Sequence, residues 1–295
     1  GLLDAVPDVR DSEEVIARYG DCFSSKRENF EPIRGDIRFE DVSFSYGKDS
    51  EMVLEHFNLS GPAGSMVALV GETGAGKSTI VNLLCRFFEP TSGRILIDGR
   101  DYRERSQLWL HSNLGYELQS PHLFSGSIAD NIRYGKLDAT DEQVRHAAEL
   151  VSADRIAKSQ PEGYDFDVGE GGDRLSTGEK QLVSFARAIL ADPAIFVLDE
   201  ATSSIDTETE QLIQKAIETL LQGRTSFIIA HRLSTIRRAD VILVIQDGKV
   251  VEQGSHRELL EKKGVYYHLY TKQYTDDQIS HIFSPQSGQK SLPEN

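Results

Sequence analysis

No stretch of this 295-residue chain approaches the roughly 18 consecutive apolar residues that a membrane-spanning helix needs. The longest apolar runs, Ile195-Phe-Val-Leu198 and Val241-Ile-Leu-Val-Ile245, have the length of strands, and no signal peptide is expected. Positive charge is also short: 32 Lys and Arg stand against 47 Asp and Glu, a net charge of −15. Wrapping nucleic acid needs a Lys/Arg surplus to neutralise phosphates, so no nucleic-acid partner is expected. Cysteine is scarce. Cys22 and Cys85 lie far apart with no metal-ligand spacing, and a reducing, cytosolic setting fits. Cys85 falls on a predicted helix, where a small buried hydrophobe is expected. The length suffices for one α/β core with a subdomain.

What is present begins with Val67-Ala-Leu-Val-Gly71-Glu72-Thr73-Gly74-Ala75-Gly76-Lys77-Ser78-Thr79. Four apolar residues read as a buried strand, the next eight match G-x-x-x-x-G-K-[ST], and an amphipathic helix starts at about Ile80. Glycines let backbone N–H groups turn inward around phosphate oxygens, and a helix N-terminus adds a favourable dipole. Lys77 would reach the β- and γ-phosphates, and the Ser78 hydroxyl can ligate Mg²⁺. The motif predicts binding of a nucleoside triphosphate.

Around it the chain divides into stretches. Residues 1–35 are mixed and charged and read as a linker or arm, with an acidic helix-like run at Ser12–Arg18. Alternation in Ile37-Arg-Phe-Glu-Asp-Val-Ser-Phe predicts antiparallel strands with Phe39 and Phe44 in the core. Arg94-Ile-Leu-Ile-Asp98-Gly99 is a strand running into a turn. Residues 120–175 lack strong strands and carry the helical run Asp141–Lys158, which predicts a helical subdomain. Strand–helix alternation then returns and implies parallel strands with crossover helices. Val244-Ile-Gln-Asp247-Gly248-Lys-Val-Val carries a hairpin signal. The polar residues after about Thr275 are expected to be disordered.

Polar residues at the strand ends point to chemistry. Ile195-Phe-Val-Leu198 is continuously apolar, as in a parallel strand covered on both faces, and runs into Asp199-Glu200. Ser226-Phe-Ile-Ile-Ala230 runs into His231, and Val67–Val70 into the phosphate loop. Ligands of open α/β sheets sit beyond the carboxyl ends of the strands. Three strands therefore deliver Lys77/Ser78, Asp199/Glu200 and His231 to one edge, a set suited to phosphoryl transfer. Asp199 would hold Mg²⁺, Glu200 would orient and polarise the attacking water, and His231 would contact the γ-phosphate.

At this point the chain resembles the nucleotide-binding domain of ATP-binding cassette (ABC) transporters over about residues 36–272. Leu175-Ser176-Thr177-Gly178-Glu179 is similar to that family's L-S-G-G-Q signature. Gln119 looks like its Q-loop glutamine, Ser203-Ser204-Ile205-Asp206 like its D-loop, His231 like its switch histidine, and Tyr46 like the aromatic that stacks on adenine. The resemblance implies a phosphate-loop (P-loop) NTPase fold of class α/β: a RecA-like parallel-sheet core, an antiparallel β subdomain, and a helical subdomain at about 120–184. It implies ATP and Mg²⁺ as ligands. Tyr46, the loop residues 71–79, Ser176, Gly178 and Asp206 would contact nucleotide. Ser78, Gln119 and Asp199 would surround the metal, and Glu200, His231, Gln119 and Lys77 would carry hydrolysis. The domain would span residues 36–275, with a linker at 1–35 and a tail at 276–295.

The signature departs from the family pattern twice. Thr177 replaces the first glycine and Glu179 the usual glutamine. Ser176-Thr-Gly-Glu179 is also an S-x-x-E capping box before a helical pattern. Like charges about 4 Å apart repel by roughly 4 kcal/mol at an effective dielectric near 20, so Glu179 is expected to turn to its own helix cap and not toward a phosphate. In the family, two such domains sandwich two ATPs, each facing the other domain's signature. The departures favour a heterodimer with one weakened site, and a homodimer stays open. Asp167-Val-Gly-Glu170-Gly-Gly is similar to the exporter X-loop, and Gly1-Leu-Leu-Asp4-Ala-Val-Pro7-Asp to the connector after an exporter's last transmembrane helix. The resemblance thus implies an ATP-hydrolysing motor at the cytoplasmic face of the cell membrane, partnered by its own transmembrane domain and a second nucleotide-binding domain. The alternative is a regulatory nucleotide-binding module with little turnover.

Overall fold

The computed structural model describes residues 9–19, 31–47, 50–117, 121–200 and 207–272. Two sheets form its frame. In the first, β1 (Ile37–Phe44) pairs antiparallel with β2 (Leu54–Gly61) on one side and β4 (Ser92–Ile97) on the other. The short β5 (Arg100–Asp101) extends β4 through a turn at Asp98-Gly99. The second sheet runs in the order β10-β9-β3-β8-β7-β6. Its members are β3 (Met66–Val70), β6 (Leu114–Glu117), β7 (Ile195–Asp199), β8 (Thr225–Ile229), β9 (Val241–Gln246) and β10 (Lys249–Gly254). β9, β3, β8, β7 and β6 are parallel, and β10 returns antiparallel along β9.

The apolar runs of the parallel strands are buried on both faces, as continuous hydrophobicity predicts. Val67, Leu69, Ile195, Val197, Phe227, Ile229, Leu243 and Ile245 face the antiparallel sheet, where Phe39, Phe44 and Phe57 complete a core. Their neighbours Ala68, Val70, Phe196, Leu198, Ile228, Ile242 and Val244 face the helices. The period-2 alternation of strand side chains makes this division. The hairpin at Asp247-Gly248 has both residues at positive φ, 48° and 68°, the twist-matched two-residue turn that an Asp-Gly pair favours.

The helices are α1 (Glu13–Tyr19), α2 (Lys77–Leu84), α3 (Gln107–Ser112), α4 (Ile128–Arg133), α5 (Asp141–Leu150), α6 (Asp154–Ser159), α7 (Thr177–Ala191), α8 (Thr207–Leu221), α9 (Leu233–Ile236) and α10 (His256–Lys262). Residues 265–272 are also helical. The run expected over Asp141–Lys158 is two helices, broken at Ser152, which sits at φ 61°. α7 packs against α4, α5 and α8, so the predicted helical subdomain is present beside the parallel sheet. Four helices start with reciprocal capping boxes, among them α7, where Ser176 and Glu179 satisfy each other's backbone N–H. The arm is not a free tether where it is described, since Val15 and Tyr19 of α1 are buried. Cys85 is buried, and burial pushes its thiol up to about 12. No helix among the described residues is long and apolar enough to cross a membrane.

Candidate nucleotide-binding site

Strand register places the site. β8 lies between β3 and β7, with Leu69 level with Ile229 and Ile229 level with Asp199. Adjacent strands are about 4.8 Å apart, so Gly71, Glu200 and His231 emerge side by side at one sheet edge. The expected convergence of Lys77/Ser78, Asp199/Glu200 and His231 is therefore built by the backbone itself. Glu200 N–H donates to the carbonyl of Ile229 at 3.1 Å, which ties the exit of β7 to the end of β8.

The loop needs its glycines where the backbone is tight. Gly71 has φ 156°, and a Cβ there would stand 2.2 Å from the carbonyl oxygen of Ile245. Gly76, at φ 104°, is the N-cap of α2, which begins at Lys77, three residues earlier than sequence periodicity suggests. Lys77 is buried, and its Nζ donates to the carbonyls of Gly71 and Glu72, both at 2.7 Å. The ammonium thus occupies the concave side of the loop, held by backbone oxygens. Burial lowers its pKa, with the nearby Asp199 carboxylate opposing. Phosphate oxygens would add negative charge beside this cation.

Oxygen donors fit the implied metal. The Ser78 hydroxyl at the start of α2 and the Asp199 carboxylate at the end of β7 are hard ligands of the type Mg²⁺ accepts alongside phosphate oxygens. No group of three or more His, Cys, Asp or Glu that could hold a metal occurs among the described residues. Gln119 and Asp206, the other residues implied for the site, lie outside the described residues, as do Ser203 and Ser204.

Glu200 is 2% exposed. Its Oε2 accepts from the backbone N–H groups of His231 and Arg232, both at 2.9 Å, and its Oε1 accepts from the Thr235 hydroxyl at 2.7 Å. The guanidinium of Arg232 stands 3.9 Å away. The carboxylate thereby bridges β7 to the segment that carries His231, so the two groups expected to act at the γ-phosphate are mechanically joined.

Tyr46 is 51% exposed. Its hydroxyl lies 3.0 Å from the Thr79 hydroxyl, and its ring meets Phe44 and Phe88 edge-on at 4.9 and 5.1 Å. These contacts stand the aromatic beside the helix that follows the phosphate loop. Ser176 is the N-cap of α7, and Gly178 lies in its first turn. Glu179 Oε2 accepts from the Ser176 N–H at 2.8 Å, so its charge turns to its own helix cap as expected.

Sequence reading missed Glu117. It ends β6, is buried, and accepts a hydrogen bond from Ser184 of α7. Burial pushes its carboxyl up to about 7, against the Ser184 bond and the Arg187 charge, which lower it. A lone carboxylate ending a strand that pairs with the apolar Ile195–Leu198 was the available signal. Thr235, four residues after His231, was missed as well.

Comparison with known proteins agrees with this geometry. The family model described as ABC transporter matches residues 54–203. Over 274 residues the chain is 47% identical to the Bacillus subtilis protein named uncharacterized ABC transporter ATP-binding protein YfiC, covering 92% of this chain and 45% of that protein. It is 44% identical over 272 residues to the ATP-dependent lipid A-core flippase of Desulfotalea psychrophila, covering 92% and 45%. The chain thus spans about half the length of these curated relatives. A solved bacterial Atm1-family ABC exporter with ATP bound superimposes with a TM-score of 0.80 at 38% identity, over 97% of this chain and 46% of that one.

Proposed function

The chain belongs to the ABC transporter family, and on that premise we propose that it hydrolyses ATP as the motor domain of an exporter. Residues 36–275 form the nucleotide-binding domain, and residues 1–35 connect it to a membrane-spanning half at the cytoplasmic face. The observation that carries this reading is the level register of Leu69, Ile229 and Asp199, which sets the phosphate loop, His231 and Glu200 at one edge.

The roles follow from position. Loop N–H groups and the N-terminus of α2 receive the phosphates. Lys77 exchanges its two carbonyl partners for β- and γ-phosphate oxygens. Ser78, Asp199 and Gln119 would hold Mg²⁺, which when bound would supply positive charge beside the phosphates. Glu200 orients water, and its bonds to the backbone of His231 and Arg232 keep it beside His231. Tyr46 stacks on adenine. Ser176 and Gly178 face a nucleotide held by a second nucleotide-binding domain, and Asp206 would contact nucleotide. The intact Lys77, Glu200 and His231 favour a motor over a regulatory module. Relatives are named for lipid A, fatty acid and multidrug transport, so the cargo is read by the membrane half.

Phosphate release from Mg-ATP tests the proposal, measured on this chain joined to its membrane-spanning half. Turnover that vanishes on chelation of Mg²⁺ is expected. ATP binding with no release above the uncatalysed rate would return the regulatory module.

A further inference from the structure

The geometry points to Arg86 and Asp11 as a latch through which the N-terminal arm positions the phosphate-loop helix, an inference that rests on reading that arm as the connector to a membrane-spanning half. Arg86 follows α2 by two residues. Its side chain is 1% exposed, although it carries a full charge. Its Nη1 donates to Asp11 Oδ1 and to the carbonyl of Arg105, both at 2.9 Å. Nη2 donates to the carbonyl of Arg10 at 3.3 Å, and Nε to Glu89 at 2.9 Å. The arm thus supplies a carboxylate and a carbonyl to one buried guanidinium. Asp11 in turn accepts from the N–H of Gln107, the first residue of α3, at 3.0 and 3.1 Å.

The arm is pinned again at Glu31. Its carboxylate pairs with Arg105 at 2.9 Å, and its carbonyl accepts from the Trp109 indole at 2.9 Å. The Arg105 guanidinium lies 4.3 Å from the Trp109 ring centroid. The first attachment meets the end of α2 and the start of α3; the second meets Arg105 and α3, through a Glu31 side chain that is 58% exposed.

A buried ion pair is weak evidence for stability, because desolvation offsets attraction; what it secures is a fixed geometry. Arg86 also holds φ at 54°, a left-handed conformation unusual for a long side chain. The surrounding contacts hold it there. α2 is eight residues long, a rod of about 12 Å at 1.5 Å per residue. Movement of Asp11 is carried along that rod to Lys77 and Ser78 at its other end. The latch gives the membrane half a direct mechanical line to the phosphate loop, separate from surface contacts between the two.

The test compares the parent with Asp11→Ala and Asp11→Asn, both as this chain alone and as the full transporter in lipid nanodiscs. In the isolated chain, Asp11→Ala speeds amide hydrogen exchange in the last turn of α2 and at Gln107. ATP affinity there stays within about twofold, and the stimulation of turnover by the membrane half falls by about fivefold or more, the scale of a typical coupling energy. Asp11→Asn, which keeps an oxygen for Gln107 but loses the charge, gives an intermediate loss and guards against simple misfolding. Unchanged exchange, or full stimulation in Asp11→Ala beside a stimulated parent, overturns the latch alone. A parent whose turnover is the same with and without the membrane half overturns the motor reading and the latch with it.

Discussion

The Thr235 hydroxyl donates to Glu200 Oε1 at 2.7 Å, while the N–H groups of His231 and Arg232 donate to Oε2. A buried carboxylate is tolerated only where its lone pairs are met. Thr235→Val keeps the shape and removes one donor. It should lower stability by about 1–3 kcal/mol, read by chemical denaturation, and Thr235→Ser should recover most of the loss. Equal stability in all three proteins would mean that this bond contributes nothing.

Tyr46 stands half exposed beside α2 with its hydroxyl on Thr79. Tyr46→Ala should weaken ATP binding by roughly 1–3 kcal/mol, the scale of base–aromatic stacking, and Tyr46→Trp should largely preserve it. Isothermal titration with ATP distinguishes them. Three equal affinities would remove Tyr46 from the site.

Glu179 is committed to the Ser176 N–H at 2.8 Å. A γ-phosphate arriving at that helix end must compete with a carboxylate already there. Thr177→Gly with Glu179→Gln should therefore raise hydrolysis at each site that uses this signature. In a homodimer that is both sites; in a heterodimer it is only the site on the partner's phosphate loop. Single-site turnover in full-length subunits, with each site silenced in turn, reads the difference. No change at either site would show both departures to be tolerated.

Glu117 sets a pH dependence. Burial raises its carboxyl from 4.5 to about 7, so the folded protein keeps a proton that the unfolded chain releases. The stabilisation is fully present below about pH 4.5 and is lost as pH rises through about 7. The loss is on the order of 3 kcal/mol. Denaturation without nucleotide or Mg²⁺ should show this slope, and Glu117→Gln should flatten it. A slope unchanged by Glu117→Gln would assign it to other groups.

Much of the fold was legible because its signals are local. Continuous apolar runs marked β3, β7, β8 and β9, Asp-Gly pairs marked two turns, and the capping box marked the start of α7. β6 escaped notice because Leu114-Gly-Tyr-Glu117 is four residues long, carries a glycine and a charge, and pairs with β7 alone. Long-range pairs were illegible for a different reason. Glu117 finds Ser184 67 residues away, and Arg86 finds Asp11 75 residues away. No periodicity encodes such partners; only strand order and helix packing bring them together. Asp199, Glu200 and His231 were readable because each sits at a strand exit, whose direction the parallel sheet dictates, and Lys77 because it closes the glycine-rich motif that follows β3.

Glu200 is proposed to activate water for ATP hydrolysis at the edge where β3, β7 and β8 end. Glu200→Gln is nearly isosteric, and its amide oxygen can still accept from the groups around it. Single-turnover hydrolysis of Mg-ATP by the full-length protein, with ATP binding measured on the same preparation, tests the claim most directly. ATP affinity within about threefold of the parent is expected, with hydrolysis slowed by at least about 100-fold, the lower bound for loss of a general base. Hydrolysis at the parental rate with affinity unchanged would contradict it.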